Sequence, residues 1–176
     1  NGYIALNHKS KKIIIAFRGS RYYNDWLINL SIFPVNFIPY LQYHIDNSFN
    51  SYNCSCCLVH FGFFQAYGSI VEDIYSTTIE LVKTYPDYFI EITGHSLGSS
   101  LAILTGLEFK LLGLNPLIIT FGGPKSTNHK LSEFINQVFN TDALLNNLFE
   151  NEILFENGGI IRIIHKGDYV PDLPPT

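Results

Sequence analysis

A chain of 176 residues, 47% of them hydrophobic and with a mean hydropathy of +0.13, is long enough to bury one sizeable core and calls for no second domain. Eleven Lys and Arg against fifteen Asp and Glu leave a net charge of -4 with no basic run, which excludes a surface that binds nucleic acid by neutralising a row of phosphates. Apolar stretches such as residues 13–17 and 101–104 fall far short of the roughly 18 residues a membrane-spanning helix needs.

The chain begins at Asn1 and contains no Met, so it reads as a processed product or an excised piece, with both ends open to extension. Residues 2–7 and 12–18 are apolar and β-prone around a polar stretch at 7–11, which predicts a hairpin or two adjacent strands. Residues 31–57, broken by Pro34 and Pro39 and dense in Asn, Ser and Tyr, predict a long irregular excursion over the surface. Within it Cys54, Cys56 and Cys57 lie too close together to staple a whole fold. Cys54 and Cys57 close a small disulfide loop if the protein is secreted, leaving Cys56 odd. With His60 the same residues make half a zinc site, but a closed site takes four ligands and no second pair lies nearby, so no metal is expected.

Tyr67, Ile70, Val71, Ile74, Tyr75, Thr78, Leu81, Val82 and Tyr85 then recur at three and four residues, which predicts an amphipathic helix ended by Pro86. A β-prone run at 88–93, a Gly-punctuated turn and an apolar stretch at 97–112 predict strand, sharp turn and buried helix. A second such unit follows. It comprises a strand at 116–121, a loop at 122–124, and a helix carrying Leu131, Phe134, Ile135, Val138 and Phe139 on one face. The Asn- and Glu-rich residues 140–158 read as an insertion, and 160–164 as one more strand. Strands alternating with helices predict an α/β domain, a mostly parallel sheet with helices on both faces.

The turn is Gly94-His95-Ser96-Leu97-Gly98, a G-x-S-x-G pattern set between the predicted strand and helix. Such a turn holds its serine in a strained backbone conformation, and the positions two before and two after must be very small to avoid the neighbouring strand and helix. Glycine meets that demand on each side. The turn also puts the serine at a helix N-terminus, where free N–H groups and the dipole favour the negative charge of acyl transfer. Ser96 is therefore the candidate nucleophile.

The chain resembles the fungal class 3 lipases, the triacylglycerol lipase family, and most nearly the secreted yeast members. The resemblance rests on six blocks: Gly2-Tyr3-Ile4-Ala5, Ala16-Phe17-Arg18-Gly19-Ser20, Val59-His60-Phe61-Gly62-Phe63, residues 93–98, Thr120-Phe121-Gly122-Gly123-Pro124, and His165-Lys166-Gly167-Asp168-Tyr169-Val170-Pro171. It implies an α/β-hydrolase fold, here truncated at both ends, and a secreted carboxylic ester hydrolase working without a cofactor on lipid esters at a lipid–water interface. Alternatives are an esterase on soluble aryl esters, a phospholipase, and a lipid- or partner-binding relative without chemistry. Residue by residue it implies Ser96 as nucleophile, Asp168 as triad acid ahead of the weaker rival Asp172, and Ser20 with the Leu97 N–H as oxyanion donors. It places a lid at Tyr22, Tyr23, Trp26 and Leu27, and it favours a Cys54–Cys57 disulfide. Two departures stand out. Ser99 and Ser100 follow the turn where the family more often has Gly and Ala, and Asn29 replaces a commonly acidic lid residue, creating a glycosylation acceptor beside a second one at Asn53.

Ser-His-Asp catalysis needs an imidazole to take the serine proton and return it to the leaving alcohol. His8, His44, His60, His95, His129 and His165 all precede Asp168, whereas an α/β-hydrolase places its base after the acid. In the resembling family that histidine lies several dozen residues further on, so truncation rather than a dead enzyme is the reading. Residues 1–176 alone are expected to hydrolyse p-nitrophenyl butyrate on the order of a millionfold more slowly than a complete enzyme. Ordinary lipase rates from that piece would refute the assignment of the base.

Overall fold

The computed structural model describes residues 2–19, 33–44, 54–143 and 158–174. Strand β1 (Gly2–Asn7) and strand β2 (Lys12–Phe17) form the antiparallel hairpin, with Ile4 opposite Ile15. Its turn is closed by the Ser10 N–H donating to Asn7 Oδ1 at 3.1 Å and by Lys11 at a φ of 51°. Strands β5 (Phe89–His95), β6 (Leu117–Phe121) and β7 (Gly159–Ile163) continue the sheet in the order β1-β2-β5-β6-β7, parallel from β2 onward. Parallel strands end at one edge, so the segments after Phe17, His95, Phe121 and Ile163 all emerge there. The candidate site lies on that edge.

Alternation along the strands sends Ile13, Ile15 and Phe17 of β2, Ile90 and Ile92 of β5, and Ile118 of β6 into the core. Helix α3 (Leu97–Leu111) packs on this face and is buried at every residue from Gly98 to Phe109, as a helix apolar all round must be. It approaches closely because Gly106 has no side chain, and a Cβ there would run into Ile118 Cδ1. Helix α1 (Phe61–Gly68) and helix α4 (His129–Phe139) lean on α3 in turn, and helix α2 (Val71–Thr84) packs on β2. The opposite face, with Ile14, Ala16, Thr93 and Ile119, is half-buried and carries the Lys12–Glu91 ion pair at 2.6 Å. Among the described residues no helix is long and apolar enough to cross a membrane.

The sequence expectations need correction in two places. The single helix expected through residues 67–85 is two helices broken at Ser69 and Ile70. Tyr67, Ile70, Val71 and Ile74 keep helical spacing across the break, so periodicity does not register it. The break follows Gly68, against which the Tyr40 ring sits, and Ser69 Oγ caps the end by donating to the Ala66 carbonyl at 2.8 Å. The excursion expected to be irregular contains strand β3 (Pro34–Asn36), paired antiparallel with β4 (Leu58–His60), and a 3-10 turn at Tyr40–His44. Pro34 is tolerated because it opens a short strand that needs no N–H there. Beyond it, Cys54 and Cys57 are joined by a disulfide and Cys56 is free and exposed. Asn128 fastens this loop to α4. Its Oδ1 accepts from the N–H groups of Leu131 and Leu58, both at 3.0 Å, and its Nδ2 donates to the Cys56 carbonyl at 2.8 Å.

The 3-10 turn is held by a group that residue spacing does not single out. Glu108 of α3 is fully buried, and its carboxylate accepts the N–H groups of Tyr40 at 2.9 Å and Leu41 at 2.8 Å. Burial outweighs those two donors and raises its pKa from 4.5 to about 7. The unfolded chain releases the proton near 4.5, so the folded state binds more protons between 4.5 and about 7. Its contribution is therefore complete below the lower value and falls by about 3 kcal/mol as pH rises to the upper one. Urea unfolding at about pH 4.5 and about pH 7.5 should show this loss in the wild type and a flat response from Glu108 in Glu108→Gln.

Candidate active site

The edge where the parallel strands end brings four segments together. Ser96 stands between β5 and α3 at φ 55° and ψ -124°, a conformation that costs a non-glycine residue about 1 to 3 kcal/mol. The surroundings enforce it. A Cβ on Gly94 would strike the Gly98 carbonyl, and one on Gly98 would strike the carbonyl of Phe17 at the end of β2. The Ser96 N–H donates to the Phe121 carbonyl at 3.0 Å, and the Ser96 carbonyl accepts the Ser99 N–H at 2.9 Å. The residue is only 2% exposed, and among the described residues its Oγ has no hydrogen-bond partner. An unbonded hydroxyl on a strained turn at the positive end of a helix is an arrangement suited to nucleophilic attack.

The segment after β2 passes directly over this turn. A Cβ at Gly19 would lie 2.9 Å from the His95 carbonyl and 3.2 Å from Ser96 Cβ. Ser20 and the lid positions Tyr22, Tyr23, Trp26 and Leu27 lie outside the described residues, as do Asn29 and Asn53. Leu97 opens α3 as its first residue, directly after the candidate nucleophile.

The third segment follows β6. Gly122 has a φ of 52°, and a Cβ there would sit 2.7 Å from Asp168 Oδ2 and 3.7 Å from His95 Nε2. Asp168 comes from the fourth segment, after β7. Its Oδ1 accepts the Val170 N–H at 3.0 Å and its own N–H donates to the His165 carbonyl at 3.1 Å. The two loops are tied together by the Gly122 N–H donating to the Ile163 carbonyl at 2.9 Å and by Arg162 Nη2 donating to the Gly123 carbonyl at 3.1 Å. Asp168 thus reaches the Ser96 edge half-buried, while Asp172 ends a 3-10 turn (Val170–Asp172) and faces solvent. Gly122 lies in one of the blocks that carry the family resemblance and Arg162 in none of them, but for both it is the neighbours in space that show what they hold. His129 pairs with Glu133 at 3.2 Å and His44 lies near Glu72 at 3.7 Å. His95 lies between Gly19 and Gly122 with no ring hydrogen bond to Ser96 or Asp168.

Residues 14–176 match the family profile described as Lipase (class 3). The chain belongs to the class 3 lipase family. It is 36% identical to LIH1 of Saccharomyces cerevisiae over 179 residues, covering 99% of this chain and 54% of that protein. A secreted mono- and diacylglycerol lipase of Gibberella zeae is 33% identical over 192 residues, 98% of this chain and 45% of that one. The crystal structure of the Lip2 lipase of Yarrowia lipolytica superposes with a TM-score of 0.79 at 30% identity, over 99% of this chain and 57% of that one. A Rhizomucor miehei lipase in its propeptide complex gives 0.77 at 27% identity, over 99% and 48% respectively. The architecture is accordingly the α/β-hydrolase fold, and the chain spans about half the length of the relatives it matches.

The close approaches make the turn intolerant of even a methyl group. Gly98→Ala should cost about 3 kcal/mol through overpacking, measured by urea unfolding. Gly113→Ala, at a φ of 85° with nothing within 4 Å of its added Cβ, should cost only the strain of a left-handed residue, about 1 kcal/mol.

Proposed function

We propose that the full-length protein is a carboxylic ester hydrolase, and specifically a triacylglycerol lipase that works through an acyl-Ser96 intermediate. The observation that carries this reading is Ser96 itself, whose unbonded Oγ is held at a strained turn beside the loop bearing Asp168. In the proposed cycle Ser96 Oγ attacks the ester carbonyl carbon while an imidazole takes its proton. The oxyanion receives the Leu97 N–H and the Ser20 hydroxyl, and the C–O bond to the alcohol then breaks as the imidazole returns the proton. Water repeats the sequence on the acyl-serine and releases the fatty acid. Asp168 orients the imidazole, which is supplied by a histidine outside residues 1–176.

Acylglycerols are the favoured substrate class because the Gibberella zeae relative is named a mono- and diacylglycerol lipase. The apolar residues at 22–27 suit a lid that opens on a lipid surface. Secretion is supported by the Cys54–Cys57 disulfide, a bond that persists in oxidising compartments, and by the secreted relative.

In the full-length protein, Ser96→Ala should abolish both triolein hydrolysis and covalent labelling by a fluorophosphonate. Asp168→Asn should lower kcat by about 10⁴, while Asp172→Asn should leave it within about twofold. Full activity in Ser96→Ala overturns the nucleophile. Equal rates on tributyrin below and above its solubility limit overturn the lipid-surface part of the proposal alone.

A further inference from the structure

Ser99 is the third residue of α3, within its first turn, and is fully buried. Its hydroxyl has one proton and lies 2.9 Å from the Gly94 carbonyl of β5 and 3.0 Å from the Phe121 carbonyl at the end of β6. The Phe121 oxygen is the same acceptor that receives the Ser96 N–H at 3.0 Å. One carbonyl therefore binds the backbone of the nucleophile and the side chain of Ser99 together. The rest of Ser99 faces the loop after β6, where a Cβ added to Gly123 would fall 2.5 Å from Ser99 Cβ and 3.0 Å from its Oγ. That loop is the one whose Gly122 lies against Asp168 and whose Gly123 carbonyl is held by Arg162.

We infer that Ser99 is a positioning residue, whose single hydroxyl proton, shared between the Gly94 and Phe121 carbonyls, ties the Ser96 turn to the loop after β6 that lies against Asp168. This assignment rests on the ester-hydrolase reading above. A strained turn persists only where its surroundings over-determine it. Here β5, β6 and α3 meet at a single buried side chain. Ser99 touches no substrate atom, so its influence is on the geometry of attack, where a displacement of about 1 Å can cost about a hundredfold in rate. Ser99 is fully buried and so lines no exposed surface, and the expected loss therefore falls on kcat rather than KM.

The test uses the full-length protein and compares Ser99→Ala with Thr105→Val. Thr105 is a second fully buried hydroxyl on α3, but it donates to the Leu101 carbonyl of its own helix at 2.8 Å and reaches neither strand. Both variants should lose stability. Ser99→Ala should lower kcat, and the rate of Ser96 labelling by a fluorophosphonate, by about tenfold, with KM for tributyrin within about twofold. Thr105→Val should keep both rates. Ser99→Cys, which retains a weak donor, should fall between wild type and Ala, and it carries the comparison if the Ala variant does not fold. Wild-type rates in Ser99→Ala, or equal losses in both variants, would overturn the Ser99 assignment and leave the hydrolase reading intact. A wild-type protein that takes up no fluorophosphonate overturns the hydrolase reading, and this assignment with it.

Discussion

Ser96 can hold its positive φ only because the backbone on either side of it has no room for a side chain. Gly94 lies against the Gly98 carbonyl, and Gly98 against the end of β2. The strand, the turn and the helix are thus pressed together more tightly than any other residue type allows. That compression fixes where α3 starts relative to the ends of β2 and β5. It also points the first N–H groups of the helix at the edge where the parallel strands end. Relaxing it would cost Ser96 its geometry and the core its central helix at once.

The rest of the described structure supports that junction from behind. α3 is buried along its length, so it cannot tilt without disturbing the sheet on one side and α1 and α4 on the other. Its polar residues are spent on connections. Ser99 ties it to β5 and β6, and Glu108 ties it to the 3-10 turn at Tyr40–His44. A buried carboxylate is a costly way to hold a turn. It is repaid by two otherwise orphaned N–H groups, and it brings the segment that follows the 20–32 stretch to a fixed place over α3. The loop that carries Asp168 is held by loop-to-loop bonds, from Gly122 to Ile163 and from Arg162 to Gly123, rather than by any one element.

Local patterns were legible wherever local physics decides the outcome. The hairpin at 2–17, the strand-turn-helix around Ser96 and the amphipathic α4 each follow from residue spacing, because the faces they bury are set by periods of two or of 3.6. Periodicity does not register the break between Gly68 and Val71, where helical spacing continues past a glycine packed against the Tyr40 ring of another segment. It was silent at β3, because a strand of three residues beginning with proline forms only if β4 is there to receive it.

The residues by themselves determined the chemistry on offer: a serine between two glycines at a strand-to-helix turn, an acid after a later strand, and cysteines near enough to pair. They did so because backbone freedom, helix dipoles and chain proximity act within a few residues. Only the tertiary structure decided that Asp168 Oδ2 lies against Gly122, that Phe121 offers its carbonyl to both Ser96 and Ser99, and that Glu108 is buried beneath Leu41. Each of those contacts joins segments far apart in the chain. Their energies depend on distances that close packing sets and residue spacing does not encode.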